Sequence, residues 1–354
     1  MARAASDDDD VAKGATTRPR RRRIRQDRSD SESSDSEQPQ SRGESPQLTL
    51  LCTTDSVKLL VTLLSCLASP GRKDQRIRCD IDCHGILFTT QSKGKSLQIK
   101  TSVASELFES YEFVAVDGTG GENEYEDDDD ILQLSFALNL NTLIECLSIF
   151  GPSALPTTSL RMSYDPERAH LLLVVEDNGV ICECSMQVLE HDGNDMGQLE
   201  FESAFEHSAV VGRCIIQSEP LHDAFAELYD LPSAASVTIA MFGDDARART
   251  KSHKCLSLSA TSETGSCEIE FGATSKAFIE FFCAAADEDD DSGECAATFH
   301  VAVLQQAFKA LASSNETFLR MNADGFLSVQ HMIESGTGEK AFVDALISPE
   351  DTSM

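Results

Sequence analysis

Apolar residues recur at helical spacing in four short stretches of the chain and at strand spacing through most of the rest. Leu140, Leu143, Ile144, Leu147 and Phe150 fall at i, i+3, i+4, i+7 and i+10, which predicts one apolar helix face. Gly151-Pro152 ends that helix, because glycine suits a helix C-terminus and proline cannot continue one. Ile131, Leu132, Leu134 and Phe136 predict a strand before it, and residues 159–163 an extended run after it. A second unit of the same kind lies at 298–312, where Val301, Leu304, Phe308 and Leu311 share a face. Phe318-Leu319-Arg320-Met321 follows it, where the first unit has Ser159-Leu160-Arg161-Met162. The Leu-Arg-Met triplet recurs after 159 residues and the helix before it recurs in the same order, so an internal duplication is expected.

Another pair of helices precedes these units, at 55–68 and 219–229. In the first, Val57, Leu60, Val61, Leu64 and Leu67 form the apolar face, and Asp55, Lys58, Thr62 and Ser65 a polar stripe opposite. In the second the face is Leu221, Ala224, Phe225 and Leu228. Period-two runs predict strands at 47–53, 76–83, 85–91, 96–101, 131–137, 171–176 and 179–188. His84-Gly85 makes a tight turn between the second and third of these. After a polar, glycine-containing segment at 189–198 the strand pattern restarts at 199–205 and 210–217. Further strands are expected at 236–242, 255–260, 266–271, 277–284, 317–322, 326–334 and 340–347. The sum is an α+β protein of two similar domains, 47–188 and 199–348, each with two helices packed on antiparallel sheets. Residues 189–198 connect them, and 1–46 and 349–354 are tails.

At 354 residues the chain is long enough for two substantial cores, and 41% of it is apolar. No apolar run is long enough to cross a bilayer, and the N-terminus opens on charge, so a soluble intracellular protein with no membrane partner is expected. Its 12 cysteines include no pair of CxxC knuckles, and those on strands read as free thiols acting as small hydrophobes. A formal charge of −31 argues against wrapping nucleic acid with the whole surface. Much of that charge sits in runs at 7–10, 122–130 and 287–291. Residues 1–46 carry almost no apolar side chains and are expected to be disordered. Within them Arg20, Arg21, Arg22 and Arg23 form the core of a basic stretch that reads either as a nuclear import signal or as a basic arm touching nucleic acid. Residues 29–37 (SDSESSDSE) form an acidic serine cluster open to phosphorylation.

Asp80-x-Asp82 is the one candidate for metal-dependent nuclease chemistry, such as a 3'-5' exonuclease. Two-metal catalysis needs carboxylates converging from several elements, whereas these two alternate with Cys79, Ile81 and Cys83 as the wet face of a half-buried strand would. No GxSxG, phosphate loop, dinucleotide fingerprint or HExxH occurs. No catalytic residue, metal or cofactor is expected.

Three segments carry a family resemblance: 140–151 (LNTLIECLSIFG), 216–228 (IQSEPLHDAFAEL) and 325–333 (GFLSVQHMI). They, and the order of elements over about 47–348, closely resemble the Rad-one subunits of the heterotrimeric DNA-damage checkpoint clamp, within the DNA sliding-clamp fold. The resemblance implies a non-enzymatic subunit that joins two other clamp subunits and is placed around double-stranded DNA in the nucleus by a clamp loader. It further implies support of checkpoint kinase activation and tethering of repair and signalling proteins. Lys58, Arg72, Lys73 and Lys309 are then expected to face DNA, although the helices offer few cations. Ring closure in the family pairs edge strands, which element order places at 179–188, with Val180, Cys182 and Cys184, and at 266–271, with Cys267, Ile269 and Phe271. Residues 189–198 match the connector where client peptides dock in several clamps. A homotrimeric replicative ring resembling proliferating cell nuclear antigen is the alternative.

Overall fold

The computed structural model describes residues 47–116, 132–189, 196–250, 253–284, 294–336 and 338–350, all within one compact unit, Glu44–Met354. The N-terminal tail with Arg20–Arg23, the acidic runs at 122–130 and 287–291, and residues 190–195 and 351–354 lie outside the described residues.

The first half runs β1 (Gln47–Thr54), α1 (Lys58–Leu67), β2 (Arg76–Asp82), β3 (Gly85–Gln91), β4 (Leu97–Ala104) and β5 (Ser110–Val116). It continues through β6 (Leu134–Asn139), α2 (Leu140–Leu147), β7 (Ser159–Asp165), β8 (His170–Asp177) and β9 (Val180–Gln187). Next come α3 (Met196–Glu206), β10 (Val210–Gln217), α4 (Ser218–Tyr229), β11 (Ser236–Phe242), α5 (Asp244–Thr250), β12 (Lys254–Ser262) and β13 (Gly265–Gly272). The chain closes with β14 (Phe278–Cys283), β15 (Glu294–His300), α6 (Val301–Ala307), a 3-10 turn at Phe308–Ala312, β16 (Glu316–Asn322), β17 (Leu327–Glu334) and β18 (Lys340–Ile347).

All strand pairing is antiparallel, in three sheets ordered β5-β1-β7-β8-β9, β14-β10-β16-β17-β18-β4-β3-β2-β6 and β13-β12-β11-β15. The order of the five-stranded sheet recurs as β14-β10-β16-β17-β18, and β4-β3-β2-β6 recurs as β13-β12-β11-β15. The nine-stranded sheet is therefore a five-strand block from the second half fused to a four-strand block from the first, through the β18–β4 pairing. The other copies of those blocks remain separate sheets.

Two pairs of backbone hydrogen bonds fix the residue equivalences. Val57 N donates to Thr158 O and Ser218 N to Asn315 O, while Leu140 N donates to Gln75 O and Val301 N to Ala235 O. These match Leu160 to Thr317, so the Leu-Arg-Met triplets lie two residues out of structural register although the element order does repeat. The strand register agrees, since Cys52 lies opposite Met162 and Cys214 opposite Leu319.

Three sequence expectations are corrected. Residues 199–205 belong to helix α3, not to a strand: of the apolar residues spaced as a strand would space them, Phe201 and Phe205 are i and i+4 on the buried side. Each half was expected to hold two helices, but α3 and α5 add two more, and β5 and β15 are strands that periodicity did not predict. Asp80 is not on a wet face: it is 4% exposed, bound by Arg78 Nε at 2.8 Å and by the Ser135 hydroxyl. Asp82 closes the β2–β3 turn, its Oδ1 accepting from His84 N and Gly85 N.

Candidate DNA-facing helices and open strand edges

Helices α1, α2, α4 and α6 form because each places an apolar stripe against a sheet and keeps the other side polar. Buried Leu60, Val61, Leu64 and Leu67 hold α1 down, Leu140, Leu143 and Leu147 hold α2, and Leu221, Phe225 and Leu228 hold α4. Asn139 caps α2 by accepting from Thr142 N at 3.0 Å. α1 touches α2 on one side and the turn at Phe308–Ala312 on the other, and that turn packs on α4. Phe225 and Phe308 meet there with ring centroids 4.2 Å apart. The helices thus make a row, α2–α1–α6 with its turn–α4.

The C-terminal end of α1 is closed by side chains from both halves. Gln75, fully buried, donates to Leu67 O at 2.8 Å and accepts from Ser69 N. Lys309 reaches from the 3-10 turn to donate to Ala68 O at 2.7 Å, and Gln306 Nε2 donates to Ser69 Oγ. Partial burial lowers the Lys309 pKa, and nearby Cys66 offsets part of that fall. Its ammonium is therefore engaged in closing a helix, a role that its place on the polar face did not reveal. Replacing Lys309 with Met keeps the stem and removes the bond, and should destabilise the chain by about 1 kcal/mol in urea unfolding. Unchanged stability would contradict this role.

Arg72 and Lys73, half-buried and exposed, lie in the turn after α1, where Arg72 N donates to Ser69 O, on the side of the helix end that Lys309 closes. Lys58 is exposed at the opposite end, roughly 15 Å away along a helix of 10 residues. The four expected DNA-facing cations are thus split, three against one. On the helix row itself acids outnumber cations: α2 exposes Glu145, and α4 exposes Glu219, Asp223 and Glu227, against Lys58 of α1 and Lys309 of the 3-10 turn.

Among the described residues six strands end the three sheets: β5, β9, β14, β6, β13 and β15. Four of them form two equivalent pairs: β5 with β14, unpaired on that side in both copies, and β6 with β15, each met there by a single backbone contact, Ala137 with Leu189 and Thr298 O with Glu350 N. Only β9 and β13 are open while their counterparts, β18 and β4, are paired. These are the two strands that carry the expected interface residues. Cys182, Cys184, Cys267 and Ile269 are half-buried against their own core, and Phe271 is buried. Those five offer a partner little surface; the backbone edge and the outward side chains are what lies open. Val180 is 57% exposed and Ile181 61%. Sequence reading missed Ile181, Glu183, Glu268 and Glu270, whose alternation with the inward set was the available signal.

All 12 cysteines are free thiols. Burial pushes the Cys52 and Cys214 thiols up to about 12, so these two are inert packing groups. Among the described residues no three His, Cys, Asp or Glu side chains are grouped to hold a metal ion, and no helix is long and apolar enough to cross a membrane.

A mixed α/β chain built from antiparallel sheets, with four of its helices in one row and a four-strand block of one half fused to a five-strand block of the other, is consistent with the sliding-clamp fold. The family model described as "Repair protein Rad1/Rec1/Rad17" matches residues 49–333, and the chain belongs to that family. It is 27% identical over 310 residues to the human "Cell cycle checkpoint protein RAD1", covering 87% of this chain and 94% of the human protein. The mouse protein of the same name is 26% identical over 307 residues, 86% of this chain and 94% of its own length. Membership places the protein in the DNA-damage checkpoint, in repair and in the cell cycle, within a clamp of more than one subunit.

Proposed function

We propose that the chain is a non-enzymatic subunit of a ring that encircles double-stranded DNA at damage sites in the nucleus. Its two clamp domains, 47–188 and 199–348, would be joined through the connector at 189–198. A clamp loader would place the ring, which would then support checkpoint kinase activation and hold repair factors near the lesion. The observation that carries this reading is the β18–β4 pairing. One junction between blocks is already made inside the chain, and the same two kinds of edge, β9 and β13, remain open at its ends. Two other subunits would close those edges by strand addition.

Encirclement also accommodates the acidic helix row. A ring holds DNA by topology, so it needs few phosphate contacts, and few contacts give a shallow salt dependence. Lys58, Arg72 and Lys73 are the cations left for that contact, with Arg20–Arg23 as the import signal. Asp80 and Asp82 are occupied by Arg78, Ser135 and the turn amides, which supports a non-catalytic role.

The test is co-expression with the two partner subunits, followed by mass measurement and loading with the clamp loader onto nicked circular DNA. One copy of each subunit, retained on circles through a high-salt wash and lost when the circle is linearised, is expected. Retention that ignores linearisation would overturn encirclement.

A further inference from the structure

The open edges carry a charge code that selects a partner other than a second copy of this chain. This deepens the ring reading and rests on it. The register inside the nine-stranded sheet sets what pairing at the open edges looks like. There Val343 lies opposite Thr101, Asp344 opposite Lys100, and Ala345 opposite Ile99. The pair on the non-core side at the centre of that junction is thus an acid against a base, partly covered by α3, whose Glu202 also pairs with Lys100.

The equivalences transfer this register. Leu171 pairs with Met186 as Leu327 pairs with Ile347, so Cys182, Glu183 and Cys184 stand where Val343, Asp344 and Ala345 stand. On the other edge, Phe88 pairs with Thr101 and Thr90 with Ile99, as Leu258 pairs with Ile269 and Ala260 with Cys267. Glu268 therefore occupies the place of Lys100, and Glu270 that of Ser102. If β9 of one copy met β13 of another in this register, Glu183 would face Glu268, and exposed Ile181 would face Glu270. Like charges directly opposite on neighbouring strands are destabilising.

Lys254 on β12 contacts both glutamates, at 3.1 and 3.4 Å, and Ser257 Oγ donates to Glu268 at 2.8 Å. These bonds hold Glu268 ionised, and two carboxylates against one ammonium still leave the edge acidic.

We infer that β13 takes an edge strand bearing Lys or Arg opposite Glu268, and that β9 takes one bearing Lys or Arg opposite Glu183 and an apolar residue opposite Ile181. Self-pairing is blocked at the one position where the internal junction has Lys100. Specificity arises from a repulsive element as much as from an attractive one.

Sedimentation velocity on the full chain tests this with three variants. Glu183→Lys, an exposed side chain on the open strand, should self-associate about tenfold more tightly than the parent, since a repulsion becomes an attraction. Glu268→Lys should do the same, and the double variant should fall back to the parent's behaviour. In the associated Glu183→Lys protein, mild oxidation should link Cys184 of one copy to Cys267 of the next, because the register sets them opposite. A parent chain that is itself a stable trimer would overturn the inference and leave a ring standing. So would single variants no tighter than the parent, or a double variant as tight as the singles, provided the parent still assembles with its partner subunits. Failure of that mixed assembly as well would instead remove the ring reading beneath it.

Discussion

Gly85→Ala should destabilise the chain by about 3 kcal/mol or more, measured by urea unfolding. Gly85 sits at φ +147, and an added Cβ would lie 2.3 Å from the Val103 carbonyl oxygen and 2.9 Å from Ala104 Cα. Both obstacles are backbone of the neighbouring strand β4, so no rotamer change relieves them. The residue also anchors its surroundings, since the Tyr111 hydroxyl lies 2.8 Å from both Gly85 O and Asp82 O, with its one proton shared between them. A loss under 1 kcal/mol would mean that the β3–β4 approach is looser than described.

Acid should weaken the fold through His331. This side chain is fully buried, and burial lowers its pKa to about 4, against a partial rise from its bond to Ala307 O. Nε2 must donate to that carbonyl, 3.2 Å away, so neutral Nδ1 accepts from Thr317 Oγ1 at 3.0 Å. Thr317 Oγ1 is in turn 2.8 Å from Ser218 Oγ, which lies 2.8 Å from Ser314 Oγ. The relay joins β17, β16, α4 and the segment after the 3-10 turn, and a proton on Nδ1 would set a donor against a donor.

The unfolded chain binds that proton near the ordinary histidine pKa of 6.5 and the folded chain only near 4. The stability from keeping His331 neutral is therefore complete above about pH 6.5 and is lost as pH falls through about 4, amounting to about 3 kcal/mol. His331→Gln, which keeps a donor and an acceptor without titrating, should lose about that much less stability than the parent between pH 7 and pH 4. Equal losses in the two proteins would assign the acid sensitivity elsewhere.

Much of the fold is legible in the sequence because helices and half-buried strands have different periods. The buried stripes of α1, α2 and α4 are those that spacing marks, although α2 ends at Leu147 with Ser148 as its cap, three residues before Gly151, whose positive φ belongs to the turn that follows. Where one set of residues fits both periods, spacing misleads. Leu199, Phe201 and Phe205 read as a strand, yet Phe201 and Phe205 also sit one helical turn apart, and tertiary packing of that turn decides. Residues 244–250 of α5 carry too little apolar pattern to show a period, and Ala246 is its buried anchor.

The candidate site was legible in outline and not in detail. Element order points to the edges now seen as β9 and β13, but the meaning of those edges comes from β18 pairing with β4 across more than two hundred residues, which no local pattern encodes. Lys309 shows the same limit. Its position on a polar face is visible, while the Ala68 carbonyl that it closes is brought in from the other half by the fold. The Asp80–Arg78–Ser135 cluster likewise needs β2 paired with β6 before the carboxylate is seen to be covered.

Amide hydrogen exchange on the chain alone and in assembly with its two partner subunits tests the central claim most directly. Residues 180–187 and 265–272 should exchange more slowly in the assembly, while β5 and β14, open in both copies of the repeat, should be unchanged. Slowed exchange at β5 or β14 instead, or at no strand edge, would contradict the claim that β9 and β13 complete the ring.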